Sequence, residues 1–140
     1  VYMKKINCIL LVDDNESDNF YHKLIIVEAQ VCNVIKVVSN GIEALEYIEK
    51  SNDPSQVADY PTAELIFLDI NMPKMNGFEF LEEYRNLEAK LKSKALIIML
   101  TTSLNPDEKS RAKELKEVTE FQNKPLSAEV LKEIFRKYFS

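Results

Sequence analysis

Five short apolar runs, separated by five longer stretches of helical period, constrain this chain more than any other feature. The runs are residues 7–12 (NCILLV), 33–38 (NVIKVV), 64–68 (ELIFL), 95–100 (ALIIML) and a more polar 119–123 (TEFQN). Three of them are apolar almost without alternation, which predicts strands covered on both faces, as in a parallel sheet. The polar fifth predicts an edge strand. Between the runs, Phe20, Leu24, Val27 and Val31 recur at helical steps, as do Ile42, Leu45, Ile48 and Phe78, Leu81, Tyr84. Pro106 fits the first turn of a fourth helix capped by Asn105. Pro125, Leu126 and Ser127 introduce a fifth, with Val130, Leu131, Ile134, Phe135 and Tyr138 as its expected inner face. Strand–helix alternation repeated five times predicts an open α/β sheet with right-handed crossovers. Residues 51–63 are polar, carry two prolines, and form a long connection before the third strand.

The totals narrow the function classes. The chain has 140 residues, 46% of them apolar and 29% charged, which suits one soluble domain. No stretch approaches the roughly 20 apolar residues of a bilayer span, and no signal-peptide core precedes the first run, so a cytoplasmic location is expected. Val1 and Tyr2, ahead of Met3, are expected to be a cloning remnant. A net charge of −5 argues against nucleic acid bound through its phosphates. Two cysteines and one histidine cannot build a structural zinc site, and Cys8 and Cys32 read as small core hydrophobes. Only Gly41 and Gly77 are glycine, so neither glycine-rich nucleotide fingerprint can occur.

In open α/β sheets, ligands bind beyond the carboxyl ends of the strands. The first run ends in Asp13 and Asp14, the third in Asp69, the fourth in Thr101, and the fifth leads into Lys124. The second ends in Ser39 and Asn40, which read as turn and cap residues. Three carboxylates, a hydroxyl and an ammonium thus converge on one edge. Carboxylates about 4 Å apart repel by roughly 4 kcal/mol at an effective dielectric near 20. One lysine leaves that set negative, and a hard divalent cation such as Mg²⁺ would cancel the surplus. A carboxylate beside Mg²⁺, a lysine and a hydroxyl also suits phosphoryl transfer, with Asp69 the best-placed nucleophile. Asn15 to Asp18 read as caps of the first helix.

The motifs LLVDDN (10–15), FLDINMPKMNGFEFL (67–81), IIMLTTS (97–103) and FQNKP (121–125), in this order and spacing, resemble those of response-regulator receiver domains. The resemblance covers essentially the whole chain, with 3–140 as a single receiver domain and no output domain. It implies the CheY-like, flavodoxin-like fold: a doubly wound (βα)5 arrangement around a five-stranded parallel sheet of order 2-1-3-4-5. It also implies that Asp69 accepts a phosphoryl group from a phosphohistidine on a sensor histidine kinase or a histidine phosphotransfer protein. Asp14 and Asp69 match direct Mg²⁺ ligands, with the backbone carbonyl of Asn71, while Asp13 acts through bound water. Lys124 matches the lysine that contacts the phosphoryl oxygens, and the Lys124–Pro125 bond resembles one that is cis in receivers. Thr101 and Phe121 match the switch pair that remodels the face of the fourth helix, fifth strand and fifth helix.

On this reading the chain is a free-standing switch more than an enzyme. It catalyses its own Mg²⁺-dependent phosphorylation, loses the phosphate slowly, and signals to an unknown protein target without direct contact with nucleic acid or membrane. Two departures stand out: KELKEVTEF lacks the glycine usual before the fifth strand, and Thr102 is bulkier than the small residue usual at its position. The LTTS run and the 51–63 loop resemble regulators associated with phytochrome-type kinases. His22, between Tyr21 and Lys23, reads as a surface or boundary residue. One alternative is a pseudo-receiver that binds a partner without phosphorylation, although such a protein would have lost part of the acidic set or Lys124. An aspartate-based phosphatase of the haloacid-dehalogenase type would need a second acid two residues after its nucleophile, and neither Asp69 nor Asp13 has one.

Overall fold

A computed structural model describes residues 4–87 and 95–140; the expected remnant at residues 1–2, and Met3, lie outside them. Ten elements alternate along the chain: β1 (Ile6–Val12), α1 (Glu16–Ala29), β2 (Cys32–Val38), α2 (Gly41–Ser51), β3 (Leu65–Leu68), α3 (Gly77–Asn86), β4 (Leu96–Thr101), α4 (Pro106–Glu114), β5 (Val118–Asn123) and α5 (Ala128–Tyr138). Each strand lies within one residue of its predicted bounds. All pairings are parallel, in the order β2-β1-β3-β4-β5, with β5 at an edge as its polarity predicted.

Strand alternation sorts the core into two layers. Cys8, Leu10 and Val12 of β1 face one side with Ile66, Leu68 and Met99, where α2 and α3 contribute Tyr47, Ile48, Phe80, Leu81 and Tyr84. Ile9 and Leu11 face the other side with Phe67, Ile98 and Leu100, under Ile26 of α1 and Leu131, Ile134 and Phe135 of α5. The central strands are therefore buried on both faces, which is why their sequences do not alternate. Asn15, Asn40, Asn76, Asn105 and Ser127 cap the five helices, each side chain accepting a backbone N–H of the first turn. Ser17 and Asp18 are not the caps of α1; they lie within its first turn.

The apolar repeat of α1 does not face the sheet. Phe20, Leu24 and Val27 are exposed, while Asn19, His22 and Ile26 are buried. The period is helical, yet the sheet takes the neighbouring stripe, where the Asn19 amide nitrogen and the His22 ring find partners and only the Asn19 side-chain carbonyl oxygen is left without one among the described residues. The Asn19 amide donates to the Asp13 carbonyl at 2.9 Å, and His22 Nε2 accepts the Leu126 N–H at 3.2 Å. His22, read as a surface or boundary residue, is therefore a core residue. Ile42 and Tyr138 are likewise exposed rather than inward, whereas Phe78, Leu81 and Tyr84 are buried as predicted. Of the two cysteines, Cys8 is fully buried and Cys32 only partly.

The 51–63 connection is tied down at both ends. Asp53 accepts from the backbone and hydroxyl of Ser55 and from the Gln56 amide. The Tyr47 hydroxyl donates to the Pro61 carbonyl at 2.6 Å. Among the described residues, no helix is long and apolar enough to cross a membrane.

Candidate functional site

Register decides which side chains meet. Val12 pairs with Leu68, so the next residues, Asp13 and Asp69, leave the sheet side by side at its carboxyl edge. Strand spacing of about 4.8 Å then sets how far apart their carboxylates start. The Asp69 N–H still bonds the Val12 carbonyl at 2.9 Å, and the Asp13 N–H bonds that of Val38 at 3.0 Å, so both backbones are held as extensions of the ladder. Asp14 follows on the exposed side. One carboxylate oxygen from each of Asp13, Asp14 and Asp69 lies within 4.8 Å of the others. An open cleft of about 510 Å³ spreads over Asp14 and Asp69, lined also by Asp18, Asn71, Thr102 and Lys124, with Asp13 buried beneath it.

Lys124 enters from the end of β5, where its N–H bonds the Thr101 carbonyl at 2.8 Å and its bond to Pro125 is cis. Its ammonium donates to Asp13 at 2.6 Å and to Asp18 at 2.9 Å, and sits 3.4 Å from Asp69. Burial alone would lower the affinity of this amine for its proton. The hydrogen bonds to Asp13 and Asp18 outweigh that cost and hold it above the usual lysine range. Asp69 shows the opposite balance: burial first, and then the neighbouring Asp13, push it up to about 6 despite Lys124. The site thus sets four carboxylates, Asp13, Asp14, Asp18 and Asp69, against one ammonium. The trio of Asp13, Asp14 and Asp69 fits a hard divalent cation, which prefers oxygen ligands and several retained waters.

The remaining predicted residues fall around this centre. Asn71 lines the cleft in the loop after β3. Thr101 is fully buried at the end of β4, its hydroxyl accepting the Ser103 N–H at 3.1 Å, while the exposed Thr102 faces the cleft. Phe121 does not line the cleft; it sits opposite Met99 on β5, partly buried against the α2–α3 layer. Gly77 starts α3 directly against the site, where a Cβ would lie 2.4 Å from the Asp69 carbonyl oxygen. Asp18 and His22 were missed as site residues. A signal existed for Asp18, an acid one turn into the helix that starts at this edge; none existed for His22.

Comparison with known proteins agrees with this fold. Residues 9–136 match the response regulator receiver domain. A hybrid signal transduction histidine kinase L of Dictyostelium discoideum is 32% identical over 96% of this chain, which spans 7% of that protein. The response regulator Rcp1 of Synechocystis is 28% identical over 71% of this chain and 65% of its own length. Among solved structures, a two-component response regulator from Cytophaga hutchinsonii superposes with a TM-score of 0.82 at 28% identity, covering 96% of this chain and 97% of that one. A phosphorylated cyanobacterial phytochrome response regulator, RcpA, gives 0.72 at 27% identity, over 94% and 89%.

Proposed function

The chain belongs to the response regulator receiver family, and from that premise we propose that it is a phosphorylation-controlled switch with Asp69 as phosphoacceptor. The observation that carries this reading is the convergence of Asp69, Asp13, Asp14 and Lys124 into one cluster at the carboxyl edge of the sheet. A carboxylate oxygen of Asp69 attacks phosphorus of a phosphohistidine. The P–N bond breaks, its electron pair returns to the imidazole, and an acyl phosphate forms. The donor is a histidine kinase or phosphotransfer protein; likeness to phytochrome response regulators makes a photoreceptor kinase one class to test.

Each neighbour has a part. Asp14, Asp69 and the Asn71 carbonyl would hold Mg²⁺, with Asp13 reaching it through water. When bound, the cation supplies charge neutralisation for the donor phosphoryl oxygens. Lys124 is already poised beside Asp69 and offers its ammonium to the same oxygens. The Thr101 hydroxyl then leaves the Ser103 N–H for the phosphoryl group, and Phe121 follows into the space vacated. These extra contacts favour one arrangement of the α4–β5–α5 face, which a protein target reads.

The test is direct. Incubation with a small phosphodonor and Mg²⁺ should add one phosphate by intact mass, and Asp69→Asn should abolish it. No mass shift, or one that survives the substitution, overturns the assignment. Survival of partner binding in Asp69→Asn, together with no phosphorylation of the native chain, would instead support the pseudo-receiver.

A further inference from the structure

We infer that Asp18 and His22 of α1 are positioning residues for Lys124, holding the lysine from its two ends. The inference rests on the reading above, in which that ammonium meets the transferred phosphoryl group. The two residues are four apart and so share one face of the helix. Asp18 takes the ammonium at 2.9 Å. His22 takes the main chain just beyond it, accepting the Leu126 N–H at 3.2 Å.

Three features separate this arrangement from an incidental ion pair. Asp18 is neither the helix cap, which is Asn15, nor a member of the three-carboxylate group of Asp13, Asp14 and Asp69. The lysine it holds is almost wholly enclosed, its side chain 7% exposed, whereas Asp18 is 33% exposed and approaches from the cleft rim. His22 is 2% exposed, in a layer otherwise filled by Ile26, Leu126 and Phe67. An aliphatic residue would pack there, but it would leave the buried Leu126 N–H without its acceptor.

The physical gain is preorganisation. A lysine is a compact charge on a flexible four-carbon stem. Its ammonium here donates to Asp13 and Asp18 and pairs with Asp69 at 3.4 Å. Asp13 and Asp69 both change their electrostatic surroundings when the site takes a cation and a phosphoryl group. Asp18 lies outside the three-carboxylate group, so it can keep the ammonium in place while the Asp69 contact is exchanged for phosphoryl oxygens. His22 fixes the base of the same side chain. Together they couple the position of α1 to the reach of Lys124.

The test compares native protein with Asp18→Ala, Asp18→Asn, His22→Leu and His22→Gln, using phosphoramidate and Mg²⁺ and following intact mass over time. Asp18→Ala should lower the maximal rate about five-fold, the equivalent of a partly exposed ion pair at the strong end. The half-saturating donor concentration should stay within two-fold. Asp18→Asn, which keeps an acceptor oxygen, should recover most of the rate; His22→Leu should be slow and His22→Gln recovered. In parallel, the Lys124 Cε–Hε NMR signals of the resting protein should move toward free-lysine positions in Asp18→Ala and His22→Leu only. A rate in Asp18→Ala equal to or above native would overturn the inference, as would unchanged Lys124 signals or equal losses in His22→Leu and His22→Gln. If the native chain takes no phosphate, the phosphoacceptor reading fails, and the Lys124 signals still decide the positioning role.

Discussion

Replacing Asp69 with asparagine should stabilise the cation-free protein, by an amount that grows with pH. Burial and Asp13 raise the Asp69 carboxyl from 3.8 to about 6. The folded protein therefore binds this proton more tightly than the unfolded chain. Across the window from about pH 4 to pH 6 the native state carries more protons, so stability falls as pH rises. Stability linked to Asp69 is fully present below pH 4 and lost once pH passes 6. About two units at about 1.4 kcal/mol each set a ceiling near 3 kcal/mol. Asparagine escapes that cost but must itself be buried and loses the Lys124 contact, which leaves about 2 kcal/mol. For a domain of this size that is a rise of roughly 6 °C in Tm. Thermal melts by far-UV circular dichroism at pH 4, 5.5 and 7, in chelator, measure it. The gap between variant and native should be near zero at pH 4 and full at pH 7. Adding Mg²⁺ should close it by stabilising the native chain more than the variant. A variant less stable than native at pH 7 in chelator, or a gap independent of pH, would refute the reasoning. Either result would mean that Lys124 fully compensates the ionised carboxylate.

Removing the ammonium should act in the opposite sense. Lys124→Met leaves Asp13, Asp18 and Asp69 facing one another, and should cost about 3 kcal/mol at pH 7 without cation, measured by urea unfolding, with part restored by Mg²⁺. Gly77→Ala drives a methyl into the Asp69 carbonyl and should destabilise by about 1–3 kcal/mol; backbone amide shifts in an NMR spectrum should centre on residues 69–71. Tyr47→Phe removes the donor that holds the Pro61 carbonyl and should cost about 1 kcal/mol, with faster hydrogen exchange confined to the 51–63 connection.

Much of this site was legible because parallel strands carry their carboxyl ends to one edge. Once residues 7–12 and 64–68 read as neighbouring buried strands, Asp13, Asp14 and Asp69 had to emerge together, and Lys124 followed from its place after the fifth strand. The helices were legible as a period and as caps, where Asn105 and Pro106 behave as local chemistry predicts. Phase was another matter. In α1 two stripes share the helical repeat, one apolar through Phe20, Leu24 and Val27, the other mixed through Asn19, His22 and Ile26. Hydrophobicity favours the first.

The mixed stripe won for a reason found only in three dimensions. Its polar members meet the Asp13 carbonyl and the Leu126 N–H, groups 6 and 104 residues away in the chain. A buried polar side chain with a partner costs little, and without one it costs several kcal/mol. His22 and the Asn19 amide nitrogen are partnered, while the Asn19 side-chain carbonyl oxygen bears part of that cost. By itself, then, the chain determined the alternation of strands and helices and the acidic edge that follows from it. The tertiary structure decided the turn of α1, and with it the gathering of Asp18 and His22 around Lys124, because the Asp18–Lys124 and His22–Leu126 partnerships join segments whose separation no local pattern spans.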